Sequence, residues 1–244
     1  MANNVLAHVP DINDFVSGFS ELLNPEGIAT FEFPHLLKLI TENQFDTIYH
    51  EHFSYLSLTA VNRIFVANGL AIFDVEEHPT HGGSLRVFAQ RSDTGLHPRS
   101  DRVNEVLQYE AQVGMTDENY YKGLQSRTDK AKNAFLSFLL DAKRQGKIVV
   151  AYGAAAKGNT LINYAGIRRD LIFFVVDRNP AKQSKFMPGS RIPIVDEGRL
   201  KDTKPDYGVT LPWKLKSEVM QQLDNVKARS ARFVAAVPEL RIAS

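Results

Sequence analysis

The chain has 244 residues, 43% of them hydrophobic and 23% charged, with a formal net charge of +1. That is enough for two domains with real cores, and the near-neutral balance argues against a nucleic-acid partner, which calls for a basic stripe. Cysteine is absent, so disulfides and cysteine-ligated zinc are excluded within this sequence and a reducing, cytoplasmic setting is expected. No run of about 18 apolar residues predicts a membrane span, and residues 1–6 lack the basic and apolar regions of a signal peptide.

Asp11 reads as the N-cap of a helix with apolar positions Ile12, Phe15, Val16, Phe19, Leu22 and Leu23 on one face. Asn24-Pro25-Glu26-Gly27 is a turn, and residues 28–33 read as a strand, giving an αβ step of an α/β domain. A short helix is expected over 35–40. Ser57 caps another, which Gly69 stops. Residues 70–75 and 84–89 are strands. Pro79-Thr80-His81-Gly82-Gly83 between them is too short for a parallel crossover, so the pair should be antiparallel. Its glycines suit a hairpin needing positive φ, and they equally allow a ligand close to the backbone.

Residues 98–145 are polar with scattered apolar positions, and they predict two helices, the second long and ending at Gly146. A βαβ pattern then starts: a strand at 148–152, the small-residue string Gly153-Ala154-Ala155-Ala156-Lys157-Gly158-Asn159-Thr160, a helix through Tyr164, and an apolar strand at 171–177. Strands at 207–211 and 232–237 with a helix from Trp213 complete a small doubly wound domain, its uniformly apolar strands suited to burial on both faces. The domains expected are 1–95, a helical linker over 96–145, and 146–244.

Tyr49-His50-Glu51-His52 places a phenol, a carboxylate and imidazoles in a row. In a helical turn Tyr49 and His52 share a face; in an extended segment Tyr49 and Glu51 do. Histidine suits proton transfer near neutral pH, and a tyrosine hydroxyl can donate to a developing oxyanion. A polar loop with surface histidines explains the same residues. The tract lacks the HExxH spacing of a zinc site, and no metal is expected. In the Gly153 string, backbone N–H groups and a helix N-terminus could meet a phosphate. It has Asn159 where a P-loop lysine belongs and no GxGxxG, so neither NTP hydrolysis nor a dinucleotide fingerprint is indicated; a plain alanine-rich turn is the alternative. Asp177 ends the second strand where a ribose hydroxyl is often met, though Asp177-Arg178-Asn179-Pro180 also reads as a turn.

Six strings in order resemble the S-adenosylmethionine-dependent C-methyltransferases of nucleotide-linked keto-deoxysugars. They are Asn4-Val5-Leu6-Ala7-His8-Val9, Phe31-Glu32-Phe33-Pro34, Phe45-Asp46-Thr47-Ile48-Tyr49-His50-Glu51-His52, His81-Gly82-Gly83-Ser84-Leu85-Arg86, Tyr152 through Thr160, and Val176-Asp177-Arg178-Asn179-Pro180. The resemblance implies an α/β fold: a class I methyltransferase-type sheet, here truncated, followed by a Rossmann-like domain that helps hold a nucleotide-diphospho-sugar. It implies that His52 is the base removing a proton next to the sugar ketone, with Tyr49 and Glu51 beside it and His8 as a further active-site histidine. With that domain, Gly153, Lys157, Gly158, Asn159, Thr160 and Asp177 of the loop and strand end read above are the residues expected to meet the sugar nucleotide.

The family's zinc-binding cysteines and its glycine-rich cofactor turn have no counterpart in this sequence. The chain is therefore expected to be the later part of such an enzyme, with S-adenosylmethionine as cofactor and its main binding loop lost with a truncated reading frame or supplied by a separate chain. The alternative is a non-catalytic nucleotide-sugar-binding fragment or subunit. An NAD-dependent oxidoreductase rests on the βαβ pattern alone, which does not fix function.

Overall fold

The computed structural model describes residues 1–212 and 231–243; the helix expected from Trp213 lies outside them. Among the described residues no helix is long and apolar enough to cross a membrane. The chain forms two compact units, Met1–Glu42 with His50–Leu124, and Asn43–Tyr49 with Gln125–Ser244.

The first unit is built on β1 (Ala2–Asn3), β2 (Ile28–Pro34), β3 (Leu70–His78) and β4 (Ser84–Arg91), in the order β1-β2-β4-β3. β1 and β2 are parallel, joined by the crossover helix α1 (Ile12–Leu22). Asp11 accepts from the backbone N–H groups of Asn13 and Asp14, satisfying two donors of the first turn. Phe15, Phe19 and Leu23 pack on the core, whereas Leu22 in the last turn points to solvent at 85% exposure. Leu23, at the C-cap, takes the inward place expected of both. The core packs Phe31 between Phe19, tilted with ring centroids 4.6 Å apart, and Phe65, edge-on at 4.8 Å.

α2 (Leu36–Thr41) follows β2, and α3 (Leu58–Ala67) starts at Ser57, whose hydroxyl accepts from the Ala60 N–H. β3 and β4 form the antiparallel hairpin expected, with Gly82 and Gly83 at φ +98° and +106°. A side chain at Gly83 would also meet Lys38 Cγ at 2.5 Å. α4 (Asp101–Gln112) packs on β3 and α3.

The second unit has the sheet order β10-β9-β8-β5-β6-β7, from β5 (Val149–Tyr152), β6 (Val175–Val176), β7 (Ile194–Val195), β8 (Tyr207–Thr210), β9 (Arg232–Ala235) and β10 (Arg241–Ala243). All pairings are parallel except β9–β10. Val149 and Ala151 face one core with Phe135, Leu139 and Ile162; Val150 and Tyr152 face another with Val176 and Leu200. Burial on both faces accounts for the apolar runs. Of the strand expected over 171–177, only Val175–Val176 pairs as strand; Leu171 and Ile172 join the core, while Phe173 is half-exposed. The sheet grows from β5 towards β6 in one direction and from β8 towards β9 in the other, so the order reverses between β5 and β8. Such a switch point opens a crevice at the carboxyl ends of the strands.

The linker expected over 96–145 is divided. α4 belongs to the first unit, where Val103 is in the core, and nearly all of α5 (Leu124–Arg144) belongs to the second, through Ala131, Phe135, Leu139 and Ala142. The short 3-10 turn Phe45–Thr47 also belongs to the second unit, its Phe45 ring 5.7 Å from that of Tyr164 on α6 (Ala156–Tyr164).

Candidate active site

β1 ends at Asn3, and Asn4 takes φ +55° with its N–H donating to the Glu32 carbonyl. A 3-10 turn, Leu6–His8, then buries Leu6 and Ala7 and leaves the His8 ring half-buried at the carboxyl end of the parallel pair. Residues 49–55 are neither helix nor strand but an irregular turn. The Ala7 carbonyl anchors it, accepting from the N–H groups of Phe53 and Ser54 at 2.8 and 3.2 Å.

This anchoring brings His8 and His52 together, with ring centroids 4.7 Å apart, and sets Tyr55 edge-on to His52 at 5.7 Å. His8 Nδ1 lies 2.8 Å from the backbone carbonyl of Glu51. A carbonyl only accepts, so Nδ1 carries the hydrogen and the neutral ring presents a bare Nε2. It is thus the main chain of Glu51 that engages the site; its carboxylate is solvent-exposed, as is His50, while His52 is half-buried. The division between the two units falls inside the tract: Tyr49 belongs to the second unit and His50–His52 to the first.

The first unit also buries two carboxylates, Glu32 and Glu110. Glu32 on β2 accepts from Arg86, its register partner on β4, and from the Thr80 hydroxyl, each at 2.8 Å. Burial pushes this carboxyl up, but the Arg86 and Thr80 bonds outweigh it and hold it below its ordinary range. Glu110, on α4, is fully buried and accepts from His35 Nε2, the Leu58 N–H, and the Thr59 N–H and hydroxyl. Burial again raises it, and the bonds from His35, Thr59 and Leu58 bring it below the usual value. A sequence signal for Glu110 exists: it continues the helical stripe Val103, Val106, Leu107, a carboxylate where an apolar residue is due.

In the second unit the Gly153 loop sits at the switch point, directly after β5. Gly153 has φ +90°, and a Cβ there would lie 2.6 Å from Pro212 Cδ. Gly158 is a packing glycine: its missing Cβ would fall 2.6 Å from the Leu211 side chain. The first N–H groups of the loop are used internally, Gly153 to the Val176 carbonyl, Ala154 to Asp177 Oδ2 and Ala155 to the Gly153 carbonyl. Those available to an anion therefore begin at Ala156, in the first turn of α6. Burial pushes the Lys157 ammonium below its ordinary range, with the Asp46 carboxylate opposing that shift. Asn159 Oδ1 is buried without a hydrogen-bond partner, and the Thr160 hydroxyl donates back to the Ala156 carbonyl. Asp177 ties the loop together, Oδ1 accepting from the Asn179 N–H and Oδ2 from Ala154 and from Lys182 Nζ at 3.3 Å. A carboxylate has about four acceptor positions, and these three bonds occupy most of them.

Among the described residues no group of histidine and acidic side chains could hold a metal ion. The turn leaving β1 runs through Asn4–Val9 without a glycine.

The mixed sheets and helices of the chain are those of a methyltransferase-type α/β protein. A family profile described as the C-methyltransferase C-terminal domain matches residues 79–238, and one described as a methyltransferase domain matches residues 1–75. The chain belongs to the C-methyltransferase family that the first of these defines. It is 36% identical over 238 residues to C-methyltransferase NovU of Streptomyces niveus, a match covering 98% of this chain and 56% of the relative. The chain thus spans little more than half the length of that curated relative.

Proposed function

We propose that this chain is the acid/base and sugar-nucleotide-binding portion of an S-adenosylmethionine-dependent C-methyltransferase, acting at the carbon next to the ketone of a nucleotide-linked keto-deoxysugar. The observation that carries the reading is the convergence of His8 and His52 on the turn that carries Tyr49 and Glu51. A carbon next to a ketone becomes nucleophilic only when a base removes its proton. His52 takes that proton, and its electron pair passes into the enolate. His8, with Nδ1 held by the Glu51 carbonyl, stands beside it as second imidazole. S-adenosylmethionine supplies the methyl group when bound. In the second unit Lys157, Asn159, Thr160 and the first turn of α6 receive the diphosphate, and Asp177 meets a ribose hydroxyl.

The test is methyl transfer by the chain, alone and mixed with the part of C-methyltransferase NovU that the match does not cover. His52→Ala should lower the rate roughly 10²- to 10⁴-fold, the usual worth of a positioned acid/base group, with the melting temperature unchanged. Full activity in that variant would remove His52 from the reaction. A chain that binds a thymidine or uridine diphosphate sugar but supports no methylation in either mixture would be a binding fragment instead.

A further inference from the structure

The segment that carries the acid/base residues leaves β2 at His35 and runs to the start of α3 at Leu58. Its two ends meet. His35 and Leu56 form an isolated parallel bridge, the Leu36 N–H donates to the Leu56 carbonyl at 2.9 Å, and the His35 N–H donates to the Gly83 carbonyl at 2.9 Å. His52 precedes this neck by only Phe53-Ser54-Tyr55.

One carboxylate bridges both sides of the neck. Glu110 Oε1 lies 2.7 Å from His35 Nε2 on the outgoing side and 2.7 Å from the Leu58 N–H on the returning side. Oε2 accepts from the Thr59 N–H at 2.8 Å and the Thr59 hydroxyl at 2.6 Å. Four donors converge on a side chain with no exposure to water. Helix capping alone would need only α3. Ser57 already caps it, and a surface cap would not be reached from another helix. The His35 contact serves no cap. His35 Nδ1 is buried and makes no hydrogen bond, so this ring is oriented by Glu110 through Nε2.

We propose that Glu110 is a positioning residue: by pinning His35 to the start of α3 it fixes the neck of the 36–57 excursion and so the place of His52 against His8. This rests on the reading of His52 given above, but its direct readout does not. Glu110→Gln keeps the shape while replacing two acceptor oxygens by one acceptor and one donor. In the chain as it stands, hydrogen exchange of the backbone amides of residues 50–56 should speed up about ten-fold in Glu110→Gln, as expected when a segment opens locally. Val103→Ala, at the other buried position of the same helix, is the control for general loss of stability. In the reconstituted enzyme, Glu110→Gln should lower kcat with KM for the sugar nucleotide unchanged, and Glu110→Asp should recover part of it. Equal loosening of 50–56 by Val103→Ala, or a Glu110→Gln variant with native exchange and native kcat, would overturn the proposal. Loosened exchange together with an active His52→Ala enzyme would leave the pin standing and remove the base.

Discussion

The two units hold their candidate site residues in opposite ways. In the first, an irregular turn is fixed by contacts from far along the chain, such as Glu110 on His35 and the Ala7 carbonyl on Phe53 and Ser54. In the second, the Gly153 loop is held by its neighbours, by a glycine with positive φ, and by Asp177 just past β6. A site assembled from distant side chains places several groups in a small volume, and each anchor becomes a point of failure. A loop shaped by backbone conformation tolerates side-chain changes but not the addition of a Cβ.

That contrast can be broken by substitution. The largest loss should come from Glu110→Ala, which strands His35 Nε2, the buried Leu58 N–H and the partly buried Thr59 N–H. Removing one partner of a buried pair costs roughly 3–5 kcal/mol, measurable by denaturant unfolding. A loss under about 1 kcal/mol would mean water replaces the carboxylate. Next, Gly158→Ala forces a methyl group against Leu211, and overpacking of this kind costs about 1–3 kcal/mol. Gly153→Ala adds positive-φ strain of roughly 1–3 kcal/mol to its clash with Pro212. Both should weaken sugar-nucleotide binding while leaving the exchange of residues 50–56 untouched. Asp11→Ala, a simple N-cap on α1, should cost about 1 kcal/mol. Lys143→Ala, which opens the exposed pair with Asp170, should change stability by less than about 1 kcal/mol.

Acid should act on the same contrast. The Glu110 carboxyl titrates below its ordinary value of 4.5 in the folded chain. The stability it contributes is therefore present above that value and is lost as pH falls through the lower folded value. Unfolding free energy measured against pH should lose part of its acid limb in Glu110→Gln.

The same asymmetry explains what the sequence reveals. Asp11, Ser57 and Gly69 announce their helix ends because capping is local, and the β3–β4 hairpin follows from the shortness of its connection. The Gly153 loop was legible for that reason too. Leu22 and the shortened strand at Val175–Val176 depend on tertiary packing, which overrides periodicity. Of the tract, the residue types were readable but not the partners. Nothing in Tyr49-His50-Glu51-His52 says that the Glu51 main chain would meet His8, or that His35 and Glu110, 75 positions apart, would close the neck. A carboxylate on an apolar helical stripe was the one visible clue.

Enolate formation is the first step assigned to this chain, and it can be followed without a methyl donor. The protein would be incubated in heavy water with a thymidine diphosphate 4-keto-deoxysugar, and deuterium entering the carbon next to the ketone would be followed by NMR. If His52 is the base, the native chain speeds this exchange above the buffer rate and His52→Ala loses roughly 10²-fold or more of that acceleration. Exchange at the native rate in His52→Ala, or no acceleration by the native chain, would contradict the assignment.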